Sequence, residues 1–163
     1  MLKKIIWIIV KVLLIVVGFL GALFYFGLVI SRNKDQTVQK YKTYFKLMSD
    51  WMELIEKGIY VQHYFESNGF HSIAVYGGRD AGYHLVKQLM NTEVHVACII
   101  DKTVFSNNFR NIPIYRLNEE LPAVDVVIVT PVWDYLNIKQ QLLNKVNCPV
   151  ISLEEIIAEV KCV

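Results

Sequence analysis

Three glycines, Gly77, Gly78 and Gly82, follow an apolar β-branched run in the stretch SIAVYGGRDAGYHLVKQL, Ser72 to Leu89. Glycines after a strand and before a helix make the G-x-G-x-x-G fingerprint of a dinucleotide-binding turn. The first supplies the tight turn, the second lets a pyrophosphate approach the backbone, and the third lets helix and strand pack closely. On that alignment Gly77 is the first glycine, Gly82 the third, and Arg79 stands in the second place. A side chain there obstructs the approach. Either Gly78 shifts the turn by one residue, or the Arg79 guanidinium itself contacts a phosphate. The helix N-terminus beyond favours an anion. Asp101 ends the next apolar run, 19 residues after Gly82. It matches the acidic residue that accepts hydrogen bonds from a ribose hydroxyl; the alternative is a turn cap beside Lys102. Thr130 opens the loop that would face this turn. The candidate cofactor-binding residues are therefore Gly77, Gly78, Arg79, Gly82, Asp101 and Thr130, and the cofactor is of nucleotide type: NAD, a nucleotide sugar or CoA.

Signals for catalysis are weaker. His63, His71, His84 and His95 lack metal-ligand spacing. His84 stands in the first turn after the glycine loop, within reach of a phosphate or, as is more usual, simply solvated. Tyr135 and Lys139 form Y-x-x-x-K, a pair used by short-chain dehydrogenases, but after the wrong strand and without the partner serine; packing for Tyr135 and surface for Lys139 is the preferred reading. Cys98, Cys148 and Cys162 form neither a metal motif nor a disulfide framework. A net charge of +2 implies no general affinity for polyanions, so no nucleic-acid partner is expected. No catalytic residue and no metal site is assigned, and an enzyme is the less favoured class. A minimal NAD(P)-dependent oxidoreductase would need a second substrate-binding segment, and residues Gly69 to Val163 hardly suffice for the nucleotide half.

The elements that would position these residues alternate. Strands are expected at Ser72–Tyr76, Val94–Ile100, Ile112–Tyr115 (after the polar turn SNNFRN), Asp125–Thr130 and Pro149–Leu153. Helices are expected at Gly82–Met90, Leu117–Leu121, Asp134–Val146 with Asp134 as N-cap, and Glu154–Val160. Such alternation implies a parallel sheet with helices on both faces. Right-handed crossovers give a five-stranded Rossmann-like α/β sheet in the order 3-2-1-4-5. The loops Gly77–Gly82 and Thr130–Asp134 then line the crevice at the switch point.

Upstream, Val12 to Ile30 carries no charge over 19 residues. As a helix it is roughly 28 Å long, close to the apolar thickness of a bilayer. A retained transmembrane helix is preferred over a cleaved signal, whose apolar core is shorter and ends in small residues. Lys3 and Lys4 precede the run; Arg32, Lys34, Lys40, Lys42 and Lys46 follow it. The larger cluster predicts a single-pass protein of the cell membrane with its C-terminal domain in the cytoplasm. Gly18 and Ala22 are a small-xxx-small pair, more simply ordinary membrane-helix content. Between anchor and sheet, Tyr41, Tyr44, Phe45, Met48, Trp51, Met52 and Ile55 fall on one side of a helix that Gly58 ends. A short helix follows at Val61–Ser67. The stripe is expected to pack on its own domain; a partner or the membrane surface are the alternatives. The resulting organisation is residues 1–31 tail and transmembrane helix, 32–68 amphipathic linker, and 69–163 Rossmann-like domain.

The segments SIAVYGGRDAGYHLVKQL, VACIIDK, DVVIVTPVWDYLNIKQQL and CPVISLEEII, with the lead-in LMSDWMELIEKG and YFESNGF, resemble a known group. They are similar to the small Rossmann-type domain attached to bacterial capsular and cell-surface polysaccharide glycosyltransferases, and to nucleotide- or CoA-binding domains of sugar acyltransferases. The resemblance covers about Leu47 to Ile157. Members carry Y-G-x-G-x-x-G, from which Arg79 departs. The resemblance implies polysaccharide assembly, with a glycosyltransferase or assembly protein as partner, although no glycosyltransferase domain is read in this chain. The expected function is a membrane-anchored domain that binds or senses a nucleotide-type ligand without catalysis. The alternative is a degenerate Rossmann domain serving as a protein-interaction scaffold.

Overall fold

The computed structural model describes residues 2–102 and 108–162. Of the expected polar turn, Ser106 and Asn107 lie outside the described residues. The chain divides into two compact units, Met1–Lys42 and Thr43–Val163. One helix, α1 (Leu2–Glu56), supplies the described part of the first unit. Among the described residues it is the one helix long and apolar enough to cross a membrane. Its side chains from Leu13 to Val29 are exposed.

The second unit holds the sheet. Its strands are β1 (Ser72–Tyr76), β2 (His95–Ile100), β3 (Asn108–Phe109), β4 (Ile112–Tyr115), β5 (Val126–Val129) and β6 (Val150–Ser152), in the order β3-β4-β2-β1-β5-β6. All pairings are parallel except β3 with β4. The five parallel strands have the expected 3-2-1-4-5 arrangement. The two-residue β3 is an addition, joined to β4 through Arg110 and Asn111, both at positive φ. A two-residue hairpin needs that conformation so that its twist matches the strands.

The helices of this unit are the last turns of α1, then α2 (Gln62–Ser67), α3 (Ala81–Leu89), α4 (Tyr135–Leu143) and α5 (Leu153–Lys161). Successive residues of a strand point to opposite faces. Ile73 and Val75 of β1 therefore join Leu47, Trp51, Phe65, Leu85 and Ile156 on one face. Ala74 and Tyr76 join Cys98, Ile138 and Leu142 on the other. Burial there pushes the Cys98 thiol up to about 11, so it behaves as an apolar core residue. The Asp125 carboxylate receives the amide protons of His71 and Ser72, each at 2.8 Å, and ties the entry of β1 to that of β5.

Two local expectations fail. Leu117–Leu121 is not a helix: Leu117 and Asn118 form a turn and Glu119 a bend. The Glu119 carboxylate takes the Arg116 amide at 2.7 Å, and Pro122 disfavours helical backbone at Leu121. Asp134 precedes α4 but makes no side-chain cap. It closes the short 3₁₀ turn Val132–Asp134 at φ −120° and ψ 17°, away from the extended backbone of a capping residue. Its Oδ1 instead accepts from the side-chain Nδ2 of Asn137 at 3.3 Å.

Candidate functional site

The crevice lies where β1, β2 and β5 end. Gly77 turns the chain at φ +91°, and its amide donates to the Ile100 carbonyl at 2.8 Å. The turn is thereby hooked onto the end of β2. On the other side it touches the end of β5. A Cβ on Gly77 would stand 2.8 Å from Thr130 Oγ1 and 2.9 Å from Pro131 Cδ. Thr130 is 3% exposed. Its hydroxyl donates to the carbonyls of Tyr76 and Gly77, each at 3.0 Å. A Cβ on Gly82 would land on the Gly77 carbonyl oxygen. The start of α3 therefore presses against the turn, in the way the third glycine of the fingerprint permits.

The Gly78 amide donates to Asp101 Oδ2 at 2.9 Å. A Cβ at Gly78 would be 3.0 Å from Ile99 Cγ2. Its φ is not in the left-handed range, so close packing, not turn geometry, suits glycine there. The structure thus brings Gly77, Gly78, Gly82, Asp101 and Thr130 together. Arg79 is on the same loop with its side chain exposed, and its carbonyl accepts from the Gly82 amide at 2.9 Å.

Three further residues stand around the turn without having been singled out as site residues from the sequence, although Asp80 and Trp133 fall within the two loops expected to line the crevice. Asp80 precedes α3 at φ 45° and ψ −109°, with no side-chain cap hydrogen bond. Its carboxylate adds negative charge where the helix dipole favours an anion. Tyr44, from the last turns of α1, packs edge-on against Trp133 with ring centroids 6.2 Å apart. Burial, then the Asp80 carboxylate, raise the Tyr44 hydroxyl above its ordinary value. An aromatic side chain of α1 thus meets one from the β5–α4 loop. The stripe spacing had marked Tyr44, but nothing in it names the surface it meets.

The remaining chemistry-bearing residues lie elsewhere. His84 is exposed and lines a groove of about 440 Å³ with Met48, Trp51 and Met52. Lys139 Nζ donates to the Tyr135 hydroxyl at 2.9 Å, and that hydroxyl donates to the Val150 carbonyl at 2.9 Å. The phenol thus ties α4 to β6, with Glu155 Oε2 of α5 a longer second acceptor at 3.4 Å. No group of three or more acidic, histidine or cysteine side chains suited to a metal occurs among the described residues.

Comparison with protein-family models, with curated proteins and with solved structures finds no match.

Proposed function

We propose that this chain is a membrane-anchored Rossmann-like domain that binds or senses a nucleotide-type ligand, without catalysis of its own. The observation that carries the reading is the hydrogen bond from the Gly78 amide to Asp101 beside the packed Gly77–Gly82 turn. A carboxylate at that strand end accepts ribose hydroxyls and repels a ribose phosphate. A diphosphate would take the exposed Arg79 guanidinium together with the start of α3, where the Gly82 amide is already bonded to the Arg79 carbonyl and the Asp80 carboxylate opposes its charge. NAD or a nucleotide sugar fits this charge pattern better than NADP or CoA, whose riboses carry phosphate. The pathway, surface-polysaccharide assembly with a glycosyltransferase or another assembly protein as partner, rests on the sequence resemblance alone. The membrane anchor rests on α1, and the cytoplasmic side on the flanking basic residues.

Melting of the full chain in detergent tests the ligand. NAD or a nucleotide sugar at a hundred times its dissociation constant should stabilise the domain by about 2.7 kcal/mol. NADP and CoA should do less at equal concentration. Arg79→Ala should abolish the shift, and Asp101→Ala should weaken it. Unmoved curves with all four ligands at millimolar concentration would sink the reading. The scaffold alternative would then stand, favoured by the apolar residues that α1 leaves exposed.

A further inference from the structure

In the second unit α1 carries two apolar stripes. Leu47, Trp51 and Leu54 are buried against the domain, at 3%, 2% and 1% exposure. Phe45, Met52 and Ile55 are at 76%, 58% and 43%, with Met48 partly covered beside them. At 3.6 residues per turn the two stripes are about 100° apart around the helix. Packing of the domain therefore accounts for one and leaves the other open. The open stripe has steps of three, four and three residues, the a/d spacing of a two-stranded coiled coil. In the sequence the same spacing runs back through Tyr41 to Val38, giving six consecutive apolar a/d positions.

We propose that this stripe is covered by the same stripe of a second copy, as a parallel two-stranded coiled coil. The pattern is complementary to itself in register, because each a and d position meets its equivalent across a two-fold axis. The segment lies directly after the apolar run Val12–Ile30, and this orientation argument rests on the membrane reading. Two copies anchored in one bilayer present the stripe in the same direction and at the same distance from the anchor, at raised local concentration. Charge also agrees. Lys87 of α3 lines the groove beside Met52 and Trp51. In parallel coiled-coil register the position of Trp51 faces residue 56 of the other helix, which is the exposed Glu56.

The test is disulfide trapping of the full chain in membranes. Cys148 and Cys162 are first changed to Ser; Cys98 is buried and stays. Single cysteines are then placed on the stripe, as Phe45→Cys, Met52→Cys and Ile55→Cys. Lys46→Cys, on the opposite side of the helix, and Lys57→Cys, in the turn just past its end, serve as exposed controls. A mild oxidant should give covalent dimer at least five-fold more efficiently at the three stripe positions than at the controls. Equal trapping at all five positions would mean random collision. Absence of trapping, with the stripe cysteines shielded from a water-soluble maleimide, would mean that lipid or another protein covers it. Either result overturns the proposal. As a check without cysteines, the double variant Phe45→Glu/Met52→Glu should halve the chain mass per detergent particle while the melting of the sheet stays put; a persisting dimer overturns the proposal too. Carbonate extraction scores membrane insertion separately, so failure of the anchor and failure of the pairing are distinguishable.

Discussion

Gly82 leaves no room for even one carbon. The atom that a Cβ would strike is the Gly77 carbonyl oxygen, which is backbone and cannot swing aside. Gly82→Ala should cost about 3 kcal/mol through overpacking. Urea unfolding measures it, and a change below about 0.5 kcal/mol would remove the close approach from the account. Asp80 is the opposite case. At φ 45° a side chain is strained by about 1–3 kcal/mol, which glycine relieves at the cost of some chain entropy. Asp80→Gly should therefore stabilise by about 1 kcal/mol; a loss would mean that the carboxylate has an unrecognised structural contact. The Asp125 carboxyl is held below its ordinary value by the amides of Ser72 and His71. A group depressed by folding contributes stability above its unfolded value, and that stability is lost as pH falls through the folded one. Asp125→Asn should thus flatten the acid limb of the stability profile below about pH 4. Spacing announced Gly77 and Gly82 because a tight turn and a close crossing require glycine at fixed intervals. It was silent on Asp80, because a strained φ is imposed by the two elements the residue joins and has no residue code of its own.

Among the elements, the end of α1 was the least legible. Apolar spacing marked a helical stripe but not its division into a buried and an exposed face. That division depends on where α3 lies, since Trp51 Nε1 donates to Gln88 Oε1 at 3.2 Å. Trp51→Ala should lower stability by about 3–5 kcal/mol, as for a large core aromatic. A urea midpoint that falls at unchanged slope is the expected outcome; an unchanged midpoint would show that α1 does not dock on the sheet. The other end of the same contact is electrostatic. Lys161 of α5 reaches Asp50 at 3.0 Å and Glu53 at 2.7 Å. These groups are exposed enough that salt screens the pairs, so apolar burial, not charge, holds this helix. The capping box of α5, in which the Ser152 side chain accepts from the Glu154 amide and Glu155 reaches back to the Ser152 amide, was present in the sequence as S-x-x-E. It went unread because the strand pattern was extended one residue past it, to Leu153.

At the scale of the whole molecule, alternation of period-two and helical patterns was enough to order the parallel strands, because crossover handedness leaves few choices. The antiparallel β3 escaped because two residues carry no period. Sidedness is a separate matter, governed by charge outside the sheet. Arg32, Lys34, Lys40, Lys42 and Lys46 follow the apolar run, against Lys3 and Lys4 before it, with Lys11 at its edge. Basic flanks are retained on the cytoplasmic side. A phosphatase that matures only outside the cytosol, fused after Val163, should therefore be silent, while a cytosolic reporter at the same place should be active. Replacing the first four of the five basic residues with Gln should raise the phosphatase signal at least several-fold, because the remaining bias then favours Lys3 and Lys4. Strong phosphatase activity from the unaltered chain would place the crevice outside the cytosol. It would also remove cytosolic NAD and nucleotide sugars from the ligands that the crevice could meet.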